Sequence, residues 1–161
     1  MNADRTVGLR PVREDDVEIF FRQQCEPEGA AMAMFPTRDR AAFFGHWQKT
    51  SLRDDAKRMT ITVGDVVAGT IGSWETNDED NVLVGYWLGK EYWGRGIATA
   101  ALDRYLTEHE HRRPLHARVV STNLGSIRVL EKCGFRLVGR ETEFSEAFGV
   151  EVEELLYAYE R

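Results

Sequence analysis

The chain is poor in cysteine. Only Cys25 and Cys133 occur in 161 residues, too few for a disulfide framework, so a reducing, cytoplasmic setting is expected. No apolar run is long enough to span a bilayer, and no membrane partner is expected. The first residues, MNADRTVGLRPVRED, lack the apolar h-region of a secretion signal. Basic residues are not in excess: 21 Lys and Arg stand against 27 Asp and Glu, a net charge of −6. That balance gives no support to nucleic acid as the main partner. His46, His109, His111 and His116 show no metal-ligand spacing, so no metal is expected. No repeat, linker or low-complexity segment interrupts the chain. With 42% hydrophobic and 30% charged residues, the sequence reads as one domain over residues 1–161 with a sizeable core.

The apolar spacing supplies the elements. Thr6 to Arg10 reads as a short strand. Pro11 to Gln24 reads as a helix, with Val17, Phe20, Phe21 and Gln24 on one face and Glu14, Asp15 and Asp16 in its first turn. The Met-rich stretch from Cys25 to Pro36 reads as a loop. Thr37 is placed to cap a second helix from Arg38 to Leu52. Lys57–Val63 and Val66–Trp74 alternate about a Gly64-Asp65 turn and predict a hairpin. After the polar tract TNDED (Thr76 to Asp80), Val82 to Leu88 is an apolar strand. A helix follows from Ala98 to Glu110, then a strand from Leu115 to Val120. Asn123 opens a short helix ending at KCGF, where Gly134 suits a left-handed cap and Phe135 its apolar contact. Phe135–Glu141 and Val150–Tyr159 close the chain as strands. The order predicts a mixed α/β sheet with helices packed on it.

The stretch EYWGRGIATAAL, Glu91 to Leu102, places Gly94 and Gly96 between an apolar strand and a helix. Glycines there serve either a tight turn or a close approach to a ligand. A helix N-terminus behind them offers free N–H groups and a positive dipole, the parts of an anion cradle. Familiar nucleotide loops fit poorly. The third position of a dinucleotide fingerprint is Thr99, and the next strand, LHARVV, lacks the terminal acid that holds a ribose. No Gly-Lys-Ser/Thr occurs for a P-loop. A nucleotide-binding enzyme using this loop is therefore disfavoured.

A second cluster, STNLGSIRVLEKCGF from Ser121 to Phe135, changes the balance. With GYWLGKEYWGRGIATAAL it resembles the two cofactor motifs of the GNAT family of N-acetyltransferases, most closely the RimJ/RimL-like branch. The leading GLRPVREDD and the hairpin match in order, so the resemblance covers most of the chain. It implies a mostly antiparallel sheet of six to seven strands flanked by about four helices and splayed between the fourth and fifth strands. It also implies acetyl-CoA as the acyl donor. The pyrophosphate would lie on the loop formed by Trp93, Gly94, Arg95, Gly96, Ile97, Ala98 and Thr99. The pantetheine arm would fill the splay beside Trp87 and Leu88, like an added strand. Asn123 and Ser126 would contact the arm, and Arg128 and Lys132 the 3′-phosphate. Each has an ordinary alternative: core packing for Trp87, a helix cap for Asn123, solvated faces for Arg95, Arg128 and Lys132.

Acetyl transfer needs a neutral amine, donors for developing charge and an acid for the leaving thiolate. Where many relatives carry a Tyr in the Gly-Phe helix, this chain has Leu130. Ser126 is the branch's alternative, better suited to orienting or relaying a proton than to donating one. Where relatives carry a strand Glu, this chain has Leu83. Glu75 is the leading remaining candidate for a base, ahead of Glu141 and Glu143. An α-amine, with a pKa near 7.7–8.0, needs little help to become neutral. Cys133 has no sequence neighbour to activate it and reads as a buried structural thiol. Phe35, Trp47, Trp74 and Phe144 are the candidates for the acceptor pocket, with Met32, Met34 and His46 nearby. The sequence thus predicts an acetyl-CoA-dependent N-acetyltransferase acting on a primary amine, a protein N-terminus or a small molecule, and it is compatible with a homodimer. The missing Tyr and Glu leave a second class open, an acyl-CoA-binding protein that has lost turnover.

Overall fold

The computed structural model describes residues 6–51, 56–76 and 81–161. The expected hairpin forms as β2 (Lys57–Val63) and β3 (Val66–Glu75), turning at Gly64 with φ 61°. β1 (Val7–Pro11) lies antiparallel to β2, and β4 (Val82–Leu88) antiparallel to β3. β5 (Leu115–Val120), β6 (Arg136–Ser145) and β7 (Val150–Tyr159) complete a seven-stranded sheet in the order β1-β2-β3-β4-β5-β7-β6. Leu52, expected to end a helix, and residues 77–80 of the polar tract lie outside the described residues.

All neighbouring strands run antiparallel except β4 and β5. These two are parallel and pair only at Val82–Leu115 and Leu83–His116. Beyond Leu83 they part, leaving the edge of β4 from Val84 to Leu88 without a strand partner on that side among the described residues. The sequence expected the splay at this place.

Among the described residues five α-helices cover the sheet: α1 (Glu14–Gln24), α2 (Pro27–Ala33), α3 (Arg40–Thr50), α4 (Ile97–Arg104) and α5 (Leu124–Lys132). Helix α2 corrects the expectation of a loop from Cys25 to Pro36. Pro27 fills its first position, and the Glu26 carboxylate accepts from the Gly29 amide at 2.7 Å. Both suit a helix start, where N–H groups are unpaired. Helix α3 starts two residues later than expected because Asp39, not Thr37, supplies the cap, accepting from Ala42 N at 2.8 Å. Helix α4 continues as a π-turn over Tyr105–His109, where Glu110 N donates to Tyr105 O at 2.8 Å. The inserted residue brings both Tyr105 and Leu106 into the core and buries Glu110, whose carboxylate meets Ser73 and Arg112.

Strand alternation assigns the two faces. Ile71 and Val84 join Ile97, Ala101, Leu102 and Leu130 in the main core under α4 and α5. Phe20, Phe43 and Trp47 form a separate aromatic cluster under α1 and α3. Asp16 ties β1, α1 and β2 together. It accepts from both guanidinium N–H groups of Arg10 at 2.7 and 2.9 Å, from Arg13 N at 2.8 Å and from the Thr60 hydroxyl at 2.7 Å. Burial alone would raise its pKa, but these donors outweigh that and hold it at about 2.

Candidate active site

The splay opens a cavity of about 480 Å³ between β4, the glycine loop and α5. Its wall includes Trp87, Leu88, Trp93, Gly94, Gly96, Ile97, Ala98, Thr99, Asn123, Ser126, Arg128 and Lys132. All but one of the residues expected at the cofactor therefore meet here. The exception is Arg95, which is exposed and lays its guanidinium over the Tyr92 ring at 5.8 Å. An arginine stacked on an aromatic face needs no phosphate to explain it.

The loop fits an anion. Gly94 and Gly96 stand at φ 70° and 75°, where a side chain is strained, and an added Cβ at either would meet nothing within 4 Å. The backbone shape demands glycine, while the space above it is left open. Gly96 is also the N-cap of α4 and has no side chain to cap it; the first helical bond runs from Ala100 N to Gly96 O at 3.1 Å. The preceding amides of the first turn thus lack helical acceptors, and they border the cavity. These features suit a pyrophosphate, and Arg128 and Lys132 add positive charge to the same wall.

Two expected backbone and side-chain roles prove to be shared. The Trp93 indole N–H donates to Leu88 O at 3.3 Å, so one lone pair of that carbonyl is already used. Asn123 Oδ1 caps α5 by accepting from Ser126 N at 3.3 Å, while the residue also borders the cavity. The cap and the ligand-facing position coincide.

Ser126 has a partner that the sequence reading passed over. The Tyr86 hydroxyl lies 2.7 Å from Ser126 Oγ. Burial pushes the Tyr86 phenol up to about 12, against the lowering effect of Ser126. Tyr86 therefore stays protonated across the whole neutral range. The signal was present: Val84, Tyr86 and Leu88 alternate onto the face where α5 packs, directly across from the motif serine.

A second cavity of about 440 Å³ lies on the other side of β4, beneath α1 and α3. Phe35, Trp47 and Trp74 border it, as expected of the acceptor pocket. Trp74 lies against Gly85, where a Cβ would come within 3.0 Å of its ring. Phe35 meets Trp87 at 5.9 Å between ring centroids. The two cavities share Tyr86 and Trp87. Successive strand residues face opposite ways, so this pair forms the partition between them.

Two expected residues are not brought to the site. Glu75 borders neither cavity; it ends β3 and pairs with Arg112 at 3.5 Å, its side chain 54% exposed. Phe144 is 63% exposed on β6 and borders neither cavity. Of the further base candidates, Glu141 pairs with Arg118 at 2.9 Å, and Glu143 lies on β6 and borders neither cavity. Cys133 is buried, donates to Thr99 O at 3.5 Å, and has its thiol pushed up to about 11 by burial, which suits structure and not nucleophilic attack.

The comparisons with known proteins agree with this geometry. Residues 6–136 match the acetyltransferase (GNAT) domain family. The probable N-acetyltransferase YjcK of Bacillus subtilis is 32% identical over 147 residues, 86% of this chain and 77% of that protein. Among solved structures, RimL, the ribosomal L7/L12 alpha-N-protein acetyltransferase in complex with coenzyme A, superposes with a TM-score of 0.81 at 20% identity, over 96% of this chain and 94% of that one. Mycobacterium smegmatis RimJ, in complex with CoA-disulfide, gives 0.74 at 25% identity, over 96% and 81%. The splayed sheet and its glycine loop define an acetyltransferase fold. The chain belongs to the GNAT acetyltransferase family, and its likeness to RimL and RimJ is consistent with the RimJ/RimL-like branch.

Proposed function

We propose that this chain is an acetyl-CoA-dependent N-acetyltransferase that passes the acetyl group directly to a primary amine. The observation that carries the reading is the meeting of two cavities at Tyr86 and Trp87. One suits a phosphorylated, elongated ligand; the other is aromatic and sits on the far face of the same strand. A donor in the first and an amine in the second would meet without a covalent enzyme intermediate, in keeping with the inert Cys133.

Acetyl-CoA, when bound, supplies an activated acetyl group as a thioester. The first-turn amides of α4, with Arg128 and Lys132, would hold its phosphates. The edge of β4 from Val84 to Leu88 offers backbone groups to the pantetheine arm. Tyr86, kept protonated by burial, would offer a hydrogen-bond donor to the thioester end of that arm, and Ser126 orients the Tyr86 hydroxyl. On the amine side, His46 is the only residue among the described ones bordering the acceptor cavity that can take up a proton near neutral pH. Burial, then Arg38, Arg58 and Lys49, lower its pKa, so the imidazole is neutral and able to accept. The same positive surroundings favour the neutral form of an entering amine.

Calorimetry with acetyl-CoA tests the reading, run on the wild type and on Gly96→Glu at matched folding. The wild type is expected to bind and the variant to lose at least about tenfold in affinity, because a carboxylate would crowd and repel the phosphates. Acceptor-dependent release of free thiol then separates an enzyme from a binding protein without turnover. No binding by the wild type would overturn the proposal.

A further inference from the structure

The acceptor cavity has a chemical bias beyond its aromatic walls. Among the described residues that border it there is no Asp or Glu. The residues with ionisable side chains that do border it are Arg38, Arg58, His46 and Tyr86. Arg38 lies over the Phe35 ring at 5.4 Å, and Phe35 in turn packs on Trp87 at 5.9 Å. Arg58 lies over the Trp47 ring at 4.5 Å. Each guanidinium is thus held on an aromatic platform that is itself part of the cavity wall. Among the described residues Arg38 makes no ion pair; Gln24 Nε2–H donates to its backbone carbonyl at 3.0 Å.

Such a cavity discriminates by charge. A polyamine would bring several cations to a wall that carries Arg38 and, among the described residues, no carboxylate to receive them. An uncharged amine could use the aromatic surface but would leave the guanidinium without an anion. A carboxylate or phosphonate would gain charge-assisted hydrogen bonds from Arg38, which bidentate geometry strengthens. Phe35 separates Arg38 from Trp87 at the partition, so anion and reacting amine would sit at opposite ends of an apolar body.

Resting on the acetyltransferase reading, we infer that the acceptor is a small primary amine carrying an anionic group, a carboxylate or a phosphonate, with the anion held at Arg38 and the amine delivered to Tyr86.

Thiol release with acetyl-CoA tests this on L-phenylalanine, its uncharged amide, β-alanine, 2-aminoethylphosphonate and spermidine, with rates corrected for the neutral fraction of each amine. Phenylalanine is expected to exceed its amide in kcat/KM by about tenfold or more, and spermidine to be the poorest acceptor. The pair β-alanine and 2-aminoethylphosphonate identifies the preferred anion. Arg38→Gln is expected to bring the preference for phenylalanine over its amide close to one, mainly through KM. If the amide or spermidine equals or exceeds the anionic amines, the inference falls while the enzyme assignment stands. If nothing releases thiol, the enzyme assignment falls, and calorimetry of the same compounds decides the cavity's preference. Binding of phenylalanine in preference to its amide and spermidine would support the inference; equal or absent binding would overturn it.

Discussion

Tyr86 on β4 and Ser126 on α5 face each other across the splay, hydroxyl to hydroxyl at 2.7 Å. This contact joins the strand that divides the cavities to the helix of the second motif. If this pair assists departure of the sulfur, Tyr86→Phe lowers kcat by about 100-fold while acetyl-CoA affinity stays within severalfold. Ser126→Ala has a smaller effect of the same kind, because it removes the orienting partner and leaves the donor. Steady-state kinetics beside calorimetry check the split. A loss of affinity equal to the loss of kcat/KM would assign the pair to binding alone.

If His46 takes up the proton of the amine, it sets the acid side of the rate profile. Its pKa lies below 6.5, lowered first by burial and then by Arg38, Arg58 and Lys49. A base must be neutral to work, so kcat should fall as pH drops through that lowered value and hold steady above it. His46→Gln should remove this limb and reduce kcat at neutral pH. A limb of unchanged shape in the variant would assign it to the amine or another group.

Asp16 makes folding sensitive to acid. Its folded pKa of about 2 lies below an unfolded value near 3.9. The depressed carboxylate contributes its stability above the unfolded pKa and loses it as pH falls from about 4 towards 2. The contribution is about 2 kcal/mol. Denaturant unfolding of the wild type and Asp16→Asn at pH 7 and pH 3 checks this. The variant should be less stable at pH 7, and the gap should narrow at pH 3.

The elements easiest to read were those whose spacing and end signals agreed. The β2–β3 hairpin, with its alternation and its Gly64-Asp65 turn, formed as expected apart from a one-residue extension to Glu75. The α5 helix was capped by Asn123 and ended before Gly134, at φ 99°. Helix α2 was hidden because its start signal is a glutamate followed by proline, and seven residues are too few for a visible apolar period. Glu75 looked like a base because it ends a strand near the site; whether Arg112 would reach it depended on the π-turn, which no local pattern announces. Tyr86 was legible in principle by strand parity. It was masked by a motif that draws attention to the tryptophan and glycines around it.

The partition at Tyr86 and Trp87 has a consequence for how such a protein can diverge. On the proposed reading, the acceptor chamber is built mainly from the first half of the chain, from Phe20 to Trp74, and the donor chamber mainly from Tyr86 onward. The chambers touch through two adjacent residues of one strand. Substitutions in α1, α3 and β3 can therefore change what is acetylated while the thioester remains seated as before. One half of the sequence is free to explore chemistry that the other half need not learn again.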